Sequence, residues 1–319
     1  MPSNDTASTA VPDRAAAGEG KRPRRAPIAA APRPRLHAGR VALHVMLVVL
    51  SLLMVAPFVW MVLSSLKTHD EILSYPPTLL PSVWDWANYP EALEWAPFGT
   101  YFRNSLLIAV SHTVINVVVA AMAGYALARV PFRGRSLVMM LVIAAMMIPT
   151  FSKIVPQYLL VKTMPFFGGN DFLGRGGSGW LDTWWALIVP PAVTPLAIFL
   201  FRQFYLSLPR ELEEAARMDG LGEFGIFARV MTPLMKPAIA TVALITFEDS
   251  WNRFVWPLIV TRSDDLRVIQ VGLAAFRQAD QVLWEYLMAG TVLATLPMIV
   301  LFMFTQRYFV QGFATAGIK

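Results

Sequence analysis

The chain has 319 residues, of which 56% are hydrophobic and 15% are charged, with a mean hydropathy of +0.51 and a formal net charge of +6 at pH 7. Soluble domains are about 45–50% apolar, so this composition excludes an ordinary soluble protein and indicates an integral membrane protein. The chain contains no cysteine, which excludes disulfide bonds, thiol chemistry and cysteine-based metal sites.

The first 40 residues are rich in Ala, Pro and Arg and carry eight Lys or Arg residues, with almost no large apolar side chains. Such a segment cannot form a hydrophobic core, which predicts a disordered, basic, cytoplasmic tail over residues 1–40. Residues 41–66 then form a run of 26 residues without Lys, Arg, Asp or Glu. Because about 20 apolar residues cross a bilayer, this run predicts a transmembrane helix rather than a cleaved signal peptide.

Five further apolar stretches predict transmembrane spans at about 104–128, 136–161, 183–205, 238–261 and 286–306. The predicted fold class is an all-α polytopic membrane protein, in which residues 41–319 form one transmembrane domain with six transmembrane helices. The segments predicted inside hold eighteen Lys and Arg residues and those predicted outside hold eight. The positive-inside rule therefore places both termini in the cytoplasm, together with residues 207–236.

Prolines within several of these spans predict kinked helices, because each proline removes a backbone hydrogen bond that neighbouring groups must replace. These prolines are Pro57, Pro149, Pro156, Pro190, Pro191, Pro195, Pro257 and Pro297.

The predicted outward segment 166–180 is rich in glycine. It resembles a phosphate-binding loop only superficially, because it lacks the Gly-Lys-Ser/Thr ending of such loops. We interpret it as a flexible outward loop that contacts a substrate-delivery protein.

Residues 207–236, here called the two-helix segment, have the pattern of two short helices between the fourth and fifth predicted spans. Pro209 suits a helix start, acidic residues near it suit the positive end of a helix, and Gly220 suits a stop. These signals predict one helix over about 208–219 and a second over about 223–231, which Pro233 and Pro237 separate from the next span.

A DNA-binding helix-turn-helix also consists of two helices joined by a turn. The second predicted helix, however, offers only Arg229 for reading a base edge. Nucleic acid is therefore not expected as a partner.

The two-helix segment resembles the cytoplasmic EAA loop of the permease subunits of binding-protein-dependent ABC importers. The family pattern is Glu-Ala-Ala, three residues, Gly, nine residues and then Ile-x-Leu-Pro. This chain matches the spacing, with Val and Thr in place of Ile and Leu. In the family, the loop docks in a cleft of the ATPase subunit and passes its motion to the membrane helices. The resemblance implies that the ATPase-coupling residues are Glu214, Ala215, Ala216, Asp219, Gly220, Val230 and Pro233.

The fifth predicted span carries polar groups where a membrane would otherwise require apolar ones. At helical spacing, Asp249 and Arg253 are i,i+4 partners, and so are Glu248 and Asn252. One interpretation is a structural ion pair. The other is a polar pathway in which carboxylate and amide groups bind hydroxyls and an indole stacks on a sugar ring. The candidate pathway residues are Glu248, Asp249, Trp251, Asn252 and Trp256.

Further motifs extend the resemblance from the second span to the C-terminus, over more than two hundred residues. They are Asn104-Ser105, residues 123–128, Pro149 with Pro156, Trp251-Asn252 with Pro257-Leu258, and residues 306–312. Together they are similar to the carbohydrate, maltose-type branch of these permeases.

This resemblance implies one of two homologous permease subunits in a bacterial-type cell (inner) membrane. The implied partners are the second permease subunit, two ATPase subunits or domains, an extracytoplasmic solute-binding protein and the lipid bilayer. The chain has no Walker motif, so we expect no enzyme activity and no cofactor in this chain, with ATP and Mg bound by the partner ATPase.

Other functions remain open at the level of sequence. An ion-coupled secondary transporter can also use intramembrane carboxylates such as Glu248 and Asp249, although no inverted repeat is evident. An ABC permease for a non-sugar solute is a further alternative. A membrane enzyme has no support, because the four histidines, at 37, 44, 69 and 112, show no metal-ligand spacing.

Overall fold

The computed structural model describes residues 38–278 and 281–316. Within these ranges the chain is all-helical and has no β-strand, only an isolated bridge between Arg277 and Val282. Residues 1–37 of the predicted tail lie outside the described residues. The chain divides into two units, one ending at Met54 and the other beginning at Val55. The described part of the first unit is the beginning of helix α1 (Ala38–Ser64).

The second unit contains the end of α1 and all the other helices. In chain order these are α2 (His69–Leu73), α3 (Asn88–Trp95), α4 (Phe98–Arg129), α5 (Arg135–Met147), α6 (Thr150–Lys162), α7 (Trp184–Ile188), α8 (Pro195–Ser207), α9 (Glu211–Met218), α10 (Glu223–Gly225), α11 (Thr232–Leu234), α12 (Lys236–Trp251), α13 (Val255–Val260), α14 (Ile269–Ala275) and α15 (Trp284–Ala316). A π-helix, Ile226–Met231, joins α10 to α11, and a 3-10 turn, Asp264–Leu266, precedes α14.

Three of the predicted spans are interrupted rather than merely kinked. The first, 136–161, consists of α5 and α6, which meet at an angle of 105° beside Pro149. The second, 183–205, consists of α7 and α8, separated by residues 189–194 with two consecutive prolines. The third, 238–261, is not helical over residues 252–254, between α12 and α13. Proline cannot donate a backbone hydrogen bond, which accounts directly for the first two interruptions.

By length and apolar composition, three helices in the described part of the chain can cross a membrane: Gly39–Ser64, Phe98–Arg129 and Trp284–Gln306. The number rises to five if each of two bent helix pairs is one span. Since α7 and α8 are both short, the number of six spans stays a prediction.

Helix α4 lies at the centre of the second unit and packs along α8 and α12. The approach to α8 is closest at Gly124, where an added Cβ would lie 2.6 Å from the Cβ of Phe201 and 2.9 Å from the backbone nitrogen of Arg202. Only glycine fits this contact. Tyr125 and Tyr205 fill the core beside it, with ring centroids 5.4 Å apart.

The glycine-rich loop between α6 and α7 is held by specific hydrogen bonds, while its flexibility and its outward position stay predictions. The Asn170 amide donates to the carbonyls of Lys162 and Met164 at 2.8 and 3.0 Å and accepts from the backbone of Gly177. Asp182 accepts from the backbone N–H groups of residues 262 and 263. Burial alone raises the pKa of Asp182, but these hydrogen bonds keep it below its ordinary value.

Candidate functional site

The first helix of the two-helix segment, α9, ends as the sequence predicts. Gly220 has φ +82°, a left-handed conformation that glycine adopts without strain. The Gly220 and Leu221 amides donate to the carbonyls of Arg217 and Ala216, both at 3.0 Å, which closes the helix C-terminus. The helix begins at Glu211, two residues after Pro209 and slightly later than predicted.

The second helix of the segment is longer than predicted, because it continues from Glu223 through a π-helical stretch to Leu234. It does not run straight into α12. The chain turns by 81° there, and Met235 is the only residue between the two helices. The prediction that Pro233 and Pro237 separate this helix from the next span is therefore confirmed, since the break at Met235 lies between the two prolines.

The residues matched to the EAA pattern fall on two faces of the segment. Ala216 is buried and Val230 is half-buried, so both pack inward. The exposed ones are Glu214, Ala215, Asp219, Gly220 and Pro233.

Met218 and Phe224 are the most exposed large apolar side chains of the segment, at 89% and 71%. Sequence reasoning did not single them out. The sequence feature that could have indicated them is the presence of large apolar side chains in a segment otherwise rich in charged residues. Single exposed apolar residues are ordinary, but here two lie beside the motif residues.

A second candidate site is a cavity of about 700 Å³ lined by the three helix interruptions. The bend between α5 and α6, the gap between α7 and α8, and the pause between α12 and α13 all contribute to its wall. Its polar and charged lining residues are Thr150, Lys153, Gln157, Thr194, Thr246, Glu248, Asp249, Asn252 and Arg253. Irregular backbone at membrane depth is tolerated where it lines such a cavity.

Four of the predicted pathway residues, Glu248, Asp249, Asn252 and Trp256, lie on this wall. Both predicted i,i+4 pairs form: Arg253 binds Asp249 in an ion pair, and the Asn252 amide donates to Glu248 at 3.0 Å. Asn252 also accepts from the Gln270 amide at 3.3 Å. The predicted ion pair therefore lies on the polar wall of the cavity, and the pathway role of these residues stays a prediction.

The fifth predicted pathway residue, Trp251, lies elsewhere. Its indole is buried, stacks on Phe247 with centroids 5.8 Å apart, and donates to the carbonyl of Ala294 at 3.0 Å. The indole of Trp256 likewise donates to a backbone carbonyl, that of Ala186, at 2.8 Å. Both indoles hold helices together, and only Trp256 also borders the cavity.

Behind the cavity, α4 and α12 are joined by polar side chains that the sequence did not reveal. The Asn116 amide donates to the hydroxyls of Thr246 and Thr194 at 2.8 and 3.1 Å, and its oxygen accepts from the Thr194 backbone at 2.8 Å. This network links α4 directly to two residues of the cavity wall. Its members are separated by 78 and 130 residues along the chain, so no local pattern signals them.

Comparison with known proteins gives relatives along most of the chain. The arabinooligosaccharides transport system permease protein AraQ of Bacillus subtilis (strain 168) is 36% identical over 289 residues, which cover 90% of this chain and 98% of that protein. The diacetylchitobiose uptake system permease protein NgcG of Streptomyces coelicolor is 32% identical, covering 83% of this chain and 84% of that protein.

A crystal structure of a bacterial ABC transporter involved in the import of the acidic polysaccharide alginate contains a chain with the same fold. The TM-score is 0.71 at 23% identity, with 85% of this chain and 96% of that chain covered. Residues 116–315 match the family model described as "binding-protein-dependent transport system inner membrane component". This range includes the two-helix segment and the polar end of α12, and the chain belongs to that family.

Proposed function

We propose that this chain is the membrane permease subunit of an ATP-driven importer for a sugar or oligosaccharide. The observation that carries the proposal is the two-helix segment, in which Glu214, Met218 and Phe224 are all exposed, in a member of this family. An exposed apolar surface bordered by charge is typical of a protein interface. Docking of an ATPase subunit on this surface is the role proposed for residues 207–236.

The proposed topology has six spans, with the broken pairs α5–α6 and α7–α8 each crossing once. The excess of Lys and Arg in the segments predicted inside supports a cytoplasmic position for both termini and for the two-helix segment. The proposed partners are a second permease subunit, two ATPase subunits that bind ATP and Mg, and an extracytoplasmic binding protein. Within the membrane the solute would move by alternating access.

The cavity suits an uncharged, hydroxylated solute. Its four charged side chains, Lys153, Glu248, Asp249 and Arg253, carry two positive and two negative charges, so no net charge faces the solute. Carboxylate, amide and hydroxyl groups on the same wall can exchange hydrogen bonds with sugar hydroxyls. The relatives named for arabinooligosaccharides and diacetylchitobiose support a sugar of this kind.

Reconstitution tests the proposal. The complete complex in liposomes, with the binding protein outside, should take up an arabinooligosaccharide or another sugar from a panel only when ATP and Mg are present inside. The control is a complex carrying Glu214→Lys, in which uptake should fall because a charge on the docking surface is reversed. Uptake driven by a proton or sodium gradient without ATP would instead identify an ion-coupled secondary transporter and refute the proposal.

A further inference from the structure

The end of α4 holds the two-helix segment through four polar side chains. These residues, here called the anchor cluster, are Tyr125, Arg129, Glu213 and Glu223. The Arg129 and Glu213 side chains are only 3% and 7% exposed, and Arg129 Nε lies 3.1 Å from Glu213 Oε1. Arg129 also donates to the carbonyls of Tyr205 and Leu208 at the end of α8. One guanidinium therefore joins α4, α8 and the first helix of the segment.

The second helix is held one turn earlier along α4. The Tyr125 hydroxyl donates to Glu223 Oε2 at 3.1 Å, and Arg217 of the first helix binds Glu223 Oε1 at 2.7 Å. The Tyr125 ring also packs against Phe227, with centroids 5.4 Å apart. Both helices of the segment are therefore attached to the same end of α4.

A buried ion pair adds little net stability, because desolvation of its charges offsets much of their attraction. The apolar contacts of Ala216 and Ile226 already bury the segment against the core. The anchor cluster instead restricts the orientation of the segment relative to α4, because charged hydrogen-bonding groups are satisfied in only a few geometries. It fixes the segment to α4 in one orientation.

The same helix carries Asn116, which bonds to Thr194 and Thr246 on the cavity wall. Asn116 and Arg129 lie 13 residues apart in the sequence, which corresponds to about 20 Å of continuous helix. A rigid element thus connects the proposed docking segment to the cavity. Movement of the segment would therefore reach the cavity wall at Thr194, in the gap between α7 and α8, and at Thr246 of α12.

We propose that Arg129 and Tyr125 are positioning residues that transmit movement of the docked two-helix segment through α4 to the cavity. This proposal rests on the proposed function. It separates two roles within the segment: the exposed Met218 and Phe224 bind the ATPase, whereas Glu213 and Glu223, whose carboxylates contact α4, transmit its movement.

The test combines Tyr125→Phe with Glu213→Gln, which removes one hydroxyl and one charge with almost no change of volume. The matched control is Glu211→Gln, an exposed carboxylate on the same helix. Because the chain has no cysteine, Thr150→Cys on the cavity wall gives a single site for a thiol reagent. The complete complex in nanodiscs is labelled with and without trapping by ATP and vanadate.

In the parent and the Glu211→Gln control, trapping should change the labelling rate by about fivefold or more, the usual size of coupling between two sites. The combined variant should retain the ATPase and hydrolyse ATP, but the change should fall to less than about twofold. Tyr125→Phe alone keeps the ring packing and should give an intermediate change, which guards against misfolding of the combined variant.

A combined variant that keeps the full change, or one that loses the ATPase, would overturn the transmission role. Failure of the parent complex to bind an ATPase would instead refute the proposed function itself. The two failures are therefore distinguishable.

Discussion

Gly220 offers the most sharply defined perturbation of the two-helix segment. Its φ of +82° is left-handed, and no atom lies within 4 Å of the position of an added Cβ. Substitution therefore meets no steric clash with a neighbour, and its effect is conformational. A left-handed residue with a Cβ costs roughly 1–2 kcal/mol, which asparagine partly avoids.

The expected order of apparent affinity for the ATPase is glycine, then asparagine, then alanine, then valine at position 220. A penalty of about 1–2 kcal/mol corresponds to a loss of roughly 5- to 30-fold, because the strained variants populate other orientations of the two helices. The assay is a titration of the purified permease in nanodiscs with the ATPase, which reports a dissociation constant for each variant.

Gly222 provides the matched control. It has φ −75° and also has nothing within 4 Å of an added Cβ, so Gly222→Ala should bind the ATPase within about twofold of the parent. Equal affinity for Gly220→Val and the parent would refute the inference that a fixed helix orientation governs docking. A loss of affinity for Gly222→Ala as large as that for Gly220→Ala would also refute this inference.

Three further outcomes are expected. Asn252→Ala should lower sugar uptake by about two- to tenfold, because hydrogen bonds in the cavity are lost. The ATPase should still co-purify, and basal ATP hydrolysis should stay unchanged. Loss of assembly would indicate a structural role for Asn252 instead. Asp249→Asn and Arg253→Gln should each lower the thermal unfolding temperature more than the double variant does, because each single change leaves the other charge without its partner. The Asp249 and Arg253 side chains are 58% and 19% exposed, so each single change should lower the free energy of unfolding by about 1–3 kcal/mol. Losses that simply add in the double variant would contradict this expectation. With single cysteines at Met218 and Leu173, an impermeant thiol reagent outside intact cells should label only position 173, and labelling at 218 would contradict the proposed topology.

Features governed by local sequence could be predicted. The left-handed Gly220 follows from its position after a helix, and the pairs in α12 follow from i,i+4 spacing. These depend on neighbouring residues and need no knowledge of the rest of the fold. The exact helix ends were predicted less accurately. Helix α9 starts later than predicted, and the second helix of the two-helix segment ends later than predicted.

The helix interruptions were only partly predictable. Proline at 149 indicated a kink, but its 105° angle depends on what packs around it. The pause at 252–254 has no proline within it, and apolar length alone suggests a continuous span. The ability of an indole to stack on a sugar ring likewise suggested a pathway role for Trp251, but this indole is buried and donates to a carbonyl of α15.

Contacts between distant segments could not be predicted. The pair of Arg129 and Glu213 joins residues from two helices that the sequence presents as a span and a separate loop. The cavity arises only when three interrupted helices meet. The periodicity of a single sequence does not indicate which distant helices come into contact, because each such contact depends on tertiary packing.

If the exposed surface of the two-helix segment docks an ATPase, site-specific photocrosslinking from that surface should capture the ATPase. A photoreactive amino acid is placed singly at Met218 or Phe224, with Leu173, 66% exposed in the loop between α6 and α7, as the control. Irradiation of membranes containing the complete complex should give an ATPase adduct from positions 218 and 224 and none from position 173. Absence of that adduct at both 218 and 224, in a chain that is inserted in the membrane, would contradict the claim.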